Sequence, residues 1–113
     1  MRIMIDKYEG SQVGQLRRGV ADRCVLALLE RRERYGFELA KELSDAHLIA
    51  GEGTIYPLLA RLRREGLVDT MWRESREGPP RRYYLLSAAG GQALKEFRVE
   101  WVRFVQSVNQ LLT

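Results

Sequence analysis

The chain has 113 residues, 45% hydrophobic and 30% charged, which suits one domain with one modest core. No stretch approaches the roughly 18 unbroken apolar residues of a membrane span, and the single cysteine, Cys24, cannot close an intrachain disulfide, so a reducing, cytoplasmic setting is expected. The formal net charge is +4 and the pI about 9.6, a balance compatible with a nucleic-acid partner.

The charge is carried mainly by arginine, clustered at Arg17 and Arg18, at Arg61, Arg63 and Arg64, and at Arg76, Arg81 and Arg82. Arginine forks onto phosphates and guanine edges. The same clusters also read as a solvated arginine-rich surface until they are placed on elements.

Residues 1–14 show no clean period and read as an N-terminal arm. Ile3, Met4, Ile5 and Tyr8 are apolar enough to dock on the body or on a partner subunit. The arm lacks an apolar core followed by a small-residue cleavage site, so no signal peptide is expected. From Gln15 to about Arg32 a helical period appears, with Val20, Cys24 and Leu28, beside Val25 and Leu29, on one stripe. Cys24 falls within it and reads as a buried structural thiol.

After a break at Tyr35-Gly36, the spacing of Phe37, Ala40 and Leu43 predicts a short second helix ending near Ser44–Ala46. His47, the only histidine, has no ligand partner at metal spacing and is expected in the turn that follows. A third helix is predicted from about Gly53 to Glu65. Pro57 must lie in its first turn, and Gly66 is the expected left-handed stop.

Val68, Thr70 and Trp72, alternating with Asp69, Met71 and Arg73, predict a strand over 67–75. A loop, Arg76-Glu77-Gly78-Pro79-Pro80, and a second strand over 81–86 complete a hairpin. Trp72 is read as packing. The last segment, Ala88–Thr113, predicts a long helix. Along it Leu94, Phe97, Trp101, Phe104, Val108 and Leu111 recur at alternating three- and four-residue gaps, a short a/d seam.

The expected fold is therefore mainly α with a small β-hairpin (α+β). It comprises a winged helix-turn-helix domain over 15–87 and a long C-terminal dimerisation helix over 88–113. At about 100° per residue, Ile55, Leu58, Leu59 and Leu62 of the third helix face inward. Gly53, Pro57, Ala60, Arg61 and Arg64 face outward, with Thr54, Tyr56 and Arg63 toward the flanks. Small residues permit close approach to a major groove, Thr54 and Tyr56 reach phosphates or base edges, and Arg61 and Arg64 grip the backbone. In the wing, Arg76, Arg81 and Arg82 flank a stiff Gly-Pro-Pro tip suited to phosphates or a minor groove.

The runs Gly53-Thr54-Ile55-Tyr56-Pro57-Leu58-Leu59, Arg61-Leu62 and Glu65-Gly66-Leu67-Val68 resemble the recognition-helix motif of the PadR family. The wing Gly78-Pro79-Pro80-Arg81-Arg82-Tyr83-Tyr84 and the upstream Tyr35-Gly36-Phe37-Glu38-Leu39 resemble it too, in the same order. The resemblance spans about residues 15–112. It departs at Ala89-Gly90, where relatives often carry a charged residue before glycine, and in a longer arm.

The resemblance implies a dimeric winged-helix repressor that binds an inverted repeat in double-stranded DNA. It makes Tyr35, Gly53, Thr54, Tyr56, Pro57, Arg61, Arg64, Arg76, Arg81 and Arg82 the expected DNA-binding residues. It further implies a homodimer through Leu94, Phe97, Trp101, Phe104, Val108 and Leu111. A seam of this kind left in water would exceed the apolar patch that soluble monomers tolerate.

Trp101 has two readings. It fills the dimer core, or with Phe97 it stacks a small hydrophobic or aromatic effector at the interface, as in some relatives. A winged-helix module that binds protein rather than DNA is the alternative function. An enzyme is not expected: one histidine, one cysteine, no phosphate-cradling glycine loop and no metal-spaced cluster leave no catalytic inventory, metal site or cofactor.

Overall fold

The computed structural model describes residues 12–113. The first helix, α1 (Gln12–Arg31), begins three residues before the expected Gln15, so the end of the expected arm, 12–14, is its first turn. The rest of the arm lies outside the described residues. The buried side chains of α1 are Ala21, Val25, Leu26 and Leu29, whereas Val20, Cys24 and Leu28 are only half-buried. The stripe is therefore rotated from the expected one. The cause is that α1 is apolar on two sides, one toward the core and one, at Val20, toward the C-terminal helix. Burial, reinforced by the negative charge of Asp22, pushes the Cys24 thiol up from its ordinary value. It stays protonated and packs against the core.

A two-residue strand, β1 (Arg34–Tyr35), stands where only a break was expected. Two residues carry no readable period; the strand exists because its partner strand offers an edge. Arg34 is buried, and its guanidinium staples three segments. It donates to the Glu42 carboxylate at 2.5 Å, to the Leu28 carbonyl and to the Arg32 carbonyl at 3.2 Å. The positive group thus satisfies carbonyls at the C-terminal end of α1, where the helix dipole favours a cation.

Helix α2 (Gly36–Asp45) opens with the Glu38 carboxylate accepting from the Tyr35 N–H at 3.1 Å. It buries Ala40 and Leu43 as the spacing predicts, and Leu39 beside them, but Phe37 is exposed and stacks at 6.5 Å on Tyr35 instead. Its end is a Schellman turn. His47 takes φ 61° and donates to the Ser44 carbonyl at 3.0 Å, and Leu48 reaches back to the Leu43 carbonyl at 2.9 Å.

After a 3₁₀ turn at Glu52–Thr54, helix α3 (Ile55–Arg64) buries Ile55, Leu58, Leu59 and Leu62, the predicted inward face. Gly66, at φ 76°, and Leu67 close it with the same pair of bonds, to Arg63 and Leu62.

Strands β2 (Val68–Ser75) and β3 (Gly78–Leu86) pair antiparallel from Val68↔Leu86 to Ser75↔Gly78, with an irregularity between Arg73 and Ser75. The turn is thus only Arg76-Glu77. Gly78, Pro79 and Pro80, expected in the loop, belong to β3. They are tolerated because β1 pairs with β3 only at Tyr83 and Tyr84, so the proline end has a free edge. Strand order is β1-β3-β2.

Helix α4 (Ala88–Leu112) has 25 residues and is therefore about 37 Å long. Ser87 caps it, accepting from the Gly90 N–H at 2.9 Å while donating to the Gly66 carbonyl at 2.7 Å. Only Gly90 and Leu94 of this helix are buried.

Candidate nucleic-acid interface

The inward leucines of α3 leave Gly53, Thr54, Tyr56, Pro57 and Ala60 on the surface. Tyr56 is 54% exposed, and its ring lies against Gly36, where a Cβ would come within 3.0 Å of it. The glycine that opens α2 thereby seats the phenol of α3.

Arg61 does not stand free. It pairs with Asp22 of α1 at 3.1 Å, a carboxylate that also receives Arg23 at 3.4 Å. Thr54, Pro57 and Arg61 share an opening of about 310 Å³ with Arg17 and Arg18 of α1. Tyr56, Arg63 and Arg64 share another, of about 530 Å³, with Arg82 of β3. Arg63, placed on the flank of α3 and left out of the expected DNA-binding set, is thus beside residues in that set. Its adjacency to Arg64 was the signal.

In the wing, aromatic rings hold the guanidiniums. Arg81 lies 4.5 Å over Tyr35, Arg82 5.0 Å over Trp72 and Arg73 4.6 Å over Tyr83. Tyr35 also meets Tyr83 at 5.4 Å, which places it half-buried behind the wing. Trp72 is 62% exposed. Its reading as a packing residue is corrected: it shares a face with the buried Val68 and Tyr84 but lies farther along the hairpin than the core reaches, and Arg82 stacks on the indole. Arg76 sits exposed at the turn.

The ion pairs divide the arginines. Arg23, Arg32, Arg34, Arg61, Arg73 and Arg98 each have a carboxylate within 4 Å. Among the described residues, no ion pair neutralises Arg63, Arg64, Arg76, Arg81 or Arg82. Five arginines without an ion pair thus lie on the second half of α3 and on the wing; Arg17 and Arg31 of α1 and Arg103 of α4 also have none among the described residues.

The expected seam of α4 is split. Leu94 is 2% exposed, buried in the chain's own core. It has no area left for a second copy, and its assignment to a dimer interface is corrected for that reason. Phe97 stacks on Trp101 at 5.8 Å, and Trp101 meets Phe104 in a tilted contact at 6.4 Å. With Leu16, Gly19 and Val20 of α1 they line an open apolar groove of about 620 Å³. Phe104, Val108 and Leu111 lie on the surface beyond the core. Arg98 binds Glu30 of α1 at 2.9 Å, fixing α4 against α1 and holding the Glu30 carboxyl below its ordinary range. Among the described residues there is no cluster that could hold a metal ion, and no helix is long and apolar enough to cross a membrane.

Three helices, a two-stranded wing and an uncompensated basic face on α3 and the wing define the winged helix-turn-helix class of transcriptional regulators. The family model described as the transcriptional regulator PadR-like family matches residues 25–96, and the chain belongs to that family.

Among solved structures, a PadR-like transcriptional regulator from Bacillus cereus is 36% identical, with a TM-score of 0.78, over 88% of this chain and 97% of that one. A PadR family regulator from Eggerthella lenta is 35% identical, with a TM-score of 0.76, over 87% and 86%. Bacillus subtilis PadR, solved in complex with operator DNA, shares the fold at 23% identity and a TM-score of 0.64. That match covers 71% of this chain and 47% of the other. The family and these neighbours are transcriptional regulators, not enzymes.

Proposed function

We propose that the protein is a homodimeric repressor that binds an inverted-repeat operator in double-stranded DNA. Residues 15–87 form its DNA-binding part, and residues 88–113 its dimerisation helix. The observation that carries this reading is the basic surface of α3 and the wing: Arg63, Arg64, Arg76, Arg81 and Arg82 lie there with no carboxylate partner among the described residues. Helix α3 enters the major groove with Gly53, Thr54, Tyr56 and Pro57 leading and Arg61 and Arg64 toward the backbone. Arg76, Arg81 and Arg82 of the wing meet the adjacent phosphates or minor groove, with Tyr35 supporting Arg81.

Dimerisation covers the outer part of α4, with Phe97, Trp101, Phe104, Val108 and Leu111 in the seam, and sets two recognition helices on one duplex. The groove between α1 and α4 has the volume of a small-molecule site. A small aromatic effector stacking on Trp101 and Phe97 would release the operator, to the extent that it prefers one spacing of the recognition helices over another.

The test is a salt series of binding, by fluorescence anisotropy, to the DNA upstream of the protein's own gene, with scrambled DNA as control. Preferred binding at two protomers per duplex, falling steeply with salt, supports the reading. Weak binding, equal on both duplexes and lost at physiological salt, counts against it and favours a protein partner. Quenching of Trp101 fluorescence by aromatic compounds, absent in Trp101→Phe, tests the effector.

A further inference from the structure

Arg17 and Leu48 each line two openings at once. On one side is the apolar groove of about 620 Å³ between α1 and α4, with Phe97, Trp101 and Phe104 across it. On the other is the opening of about 310 Å³ beside Thr54, Pro57 and Arg61. The turn between α2 and α3 crosses from one to the other. His47 lines the groove, Ile49 and Ala50 line the opening, and Leu48 lines both.

Arg17 fastens α1 to this turn. Its Nε donates to the His47 carbonyl at 3.0 Å. The turn is also held to α2, where the Leu48 N–H donates to the Leu43 carbonyl at 2.9 Å. Arg17 and Leu48 are both half-buried, and together they form a shared wall between the groove and the segment that leads into α3. Close-packed side chains shift as units rather than compress. Enlarging the space on one side of such a wall therefore reduces it on the other.

We propose that the wall of Arg17, His47 and Leu48 couples the groove to the recognition helix within one protomer, so that an uncharged aromatic molecule in the groove weakens DNA binding. This rests on the readings of α3 as the DNA-reading helix and of the groove as a small-molecule site, and it supplies the link between them. An occupant stacked on Trp101 presses the wall toward α3 and shifts the turn that feeds it. A duplex seated on Thr54 and Pro57 presses the same wall back. The two ligands favour opposite positions of one element, which is what a coupling free energy between two sites requires. Arg17 acts as a positioning residue: its bond to His47 makes α1 and the turn move together.

The test measures that coupling in the full chain with the uncharged naphthalene dye prodan and the duplex from upstream of the protein's own gene. A charged dye would also bind the basic face and compete with DNA directly. The part of the excitation transfer to the dye that is lost in Trp101→Phe places it in the groove. Saturating dye is expected to weaken duplex binding at least about fivefold, and saturating duplex to weaken dye binding by the same factor. In Arg17→Met, which keeps an apolar stem but loses the donor, the factor is expected to fall below about two. Arg17→Lys, which still donates to the carbonyl, is expected to restore most of it. The lost charge of Arg17→Met weakens duplex binding equally with and without dye, so it cancels in the ratio.

A factor unchanged in Arg17→Met overturns the wall and leaves the coupling to the spacing between protomers. Independent binding of dye and duplex to the unaltered protein overturns the coupling while leaving both sites standing. A protein that binds no duplex, or takes up no dye near Trp101, overturns the functional reading of that site and the proposal with it.

Discussion

Gly90 of α4 lies so close beneath the carbonyl of Leu67 that a Cβ there would collide with that oxygen, and with the Leu86 side chain at 2.8 Å. Ser87, three residues earlier, donates from its N–H to the same Leu67 carbonyl at 3.2 Å and from its hydroxyl to Gly66. The end of α3 and the start of α4 are therefore tied directly to one another.

Gly90→Ala is expected to destabilise the protein by about 3 kcal/mol, the upper end for overpacking, because the obstructing atom is backbone and cannot rotate away. Urea unfolding followed by circular dichroism measures it. A loss below about 1 kcal/mol would mean that the joint yields.

His47 carries the opposite opportunity. It adopts a left-handed conformation that disfavours a β-carbon, at the end of α2, and its contact to Arg17 Nε uses the carbonyl. His47→Gly keeps that bond and is expected to stabilise the fold by about 0.5–1 kcal/mol, read as a rise of a few degrees in Tm.

Arg61 is tied to Asp22, so DNA must compete for it. A partly exposed pair of this kind is worth about 0.2–1 kcal/mol. Asp22→Asn is therefore expected to tighten binding to any duplex by up to about fivefold and to steepen its salt dependence. Unchanged affinity would show that Arg61 stays on α1 in the complex.

The Glu30 carboxyl is held below its ordinary value, first by the hydrogen bond from Arg98 and then by the Coulomb attraction of Arg98 and Arg31. A depressed carboxylate contributes stability that is present above its unfolded pKa and is lost as pH falls through the lower folded value. Carboxyl NMR titration should place the Glu30 midpoint below that of an unfolded glutamate. Arg98→Ala should move it upward and reduce the acid sensitivity of Tm between those two midpoints.

Phe104 is 61% exposed on the outer part of α4. Phe104→Lys is expected to convert the proposed dimer to monomer in sedimentation velocity while leaving the helical content intact, since this side chain lies outside the chain's own core. Persistence of the dimer would relocate the interface.

The order and kind of the long elements were legible in the chain itself. The inward face of α3 is a local property, as Ile55, Leu58, Leu59 and Leu62 repeat at the helical period and are all buried. Gly66 at the left-handed stop and Pro57 in the first turn are likewise local, because a single residue's backbone preference decides them. The PadR resemblance rested on such runs.

What the tertiary structure decided depends on residues far apart in sequence. β1 exists only as a partner of Tyr83 and Tyr84, and Phe37 is on the surface because its neighbour there is Tyr35 rather than the core. Leu94 and Phe97 share one apolar period on α4. Yet Leu94 is consumed by the chain's own core while Phe97 lines an open groove between α1 and α4. The identity of the free arginines was also beyond the sequence. Arg61 and Arg64 look alike on a helical projection, and only the packing of α1 against α3 brings Asp22 to one of them. Periodicity names the face a side chain presents; long-range packing decides what meets it.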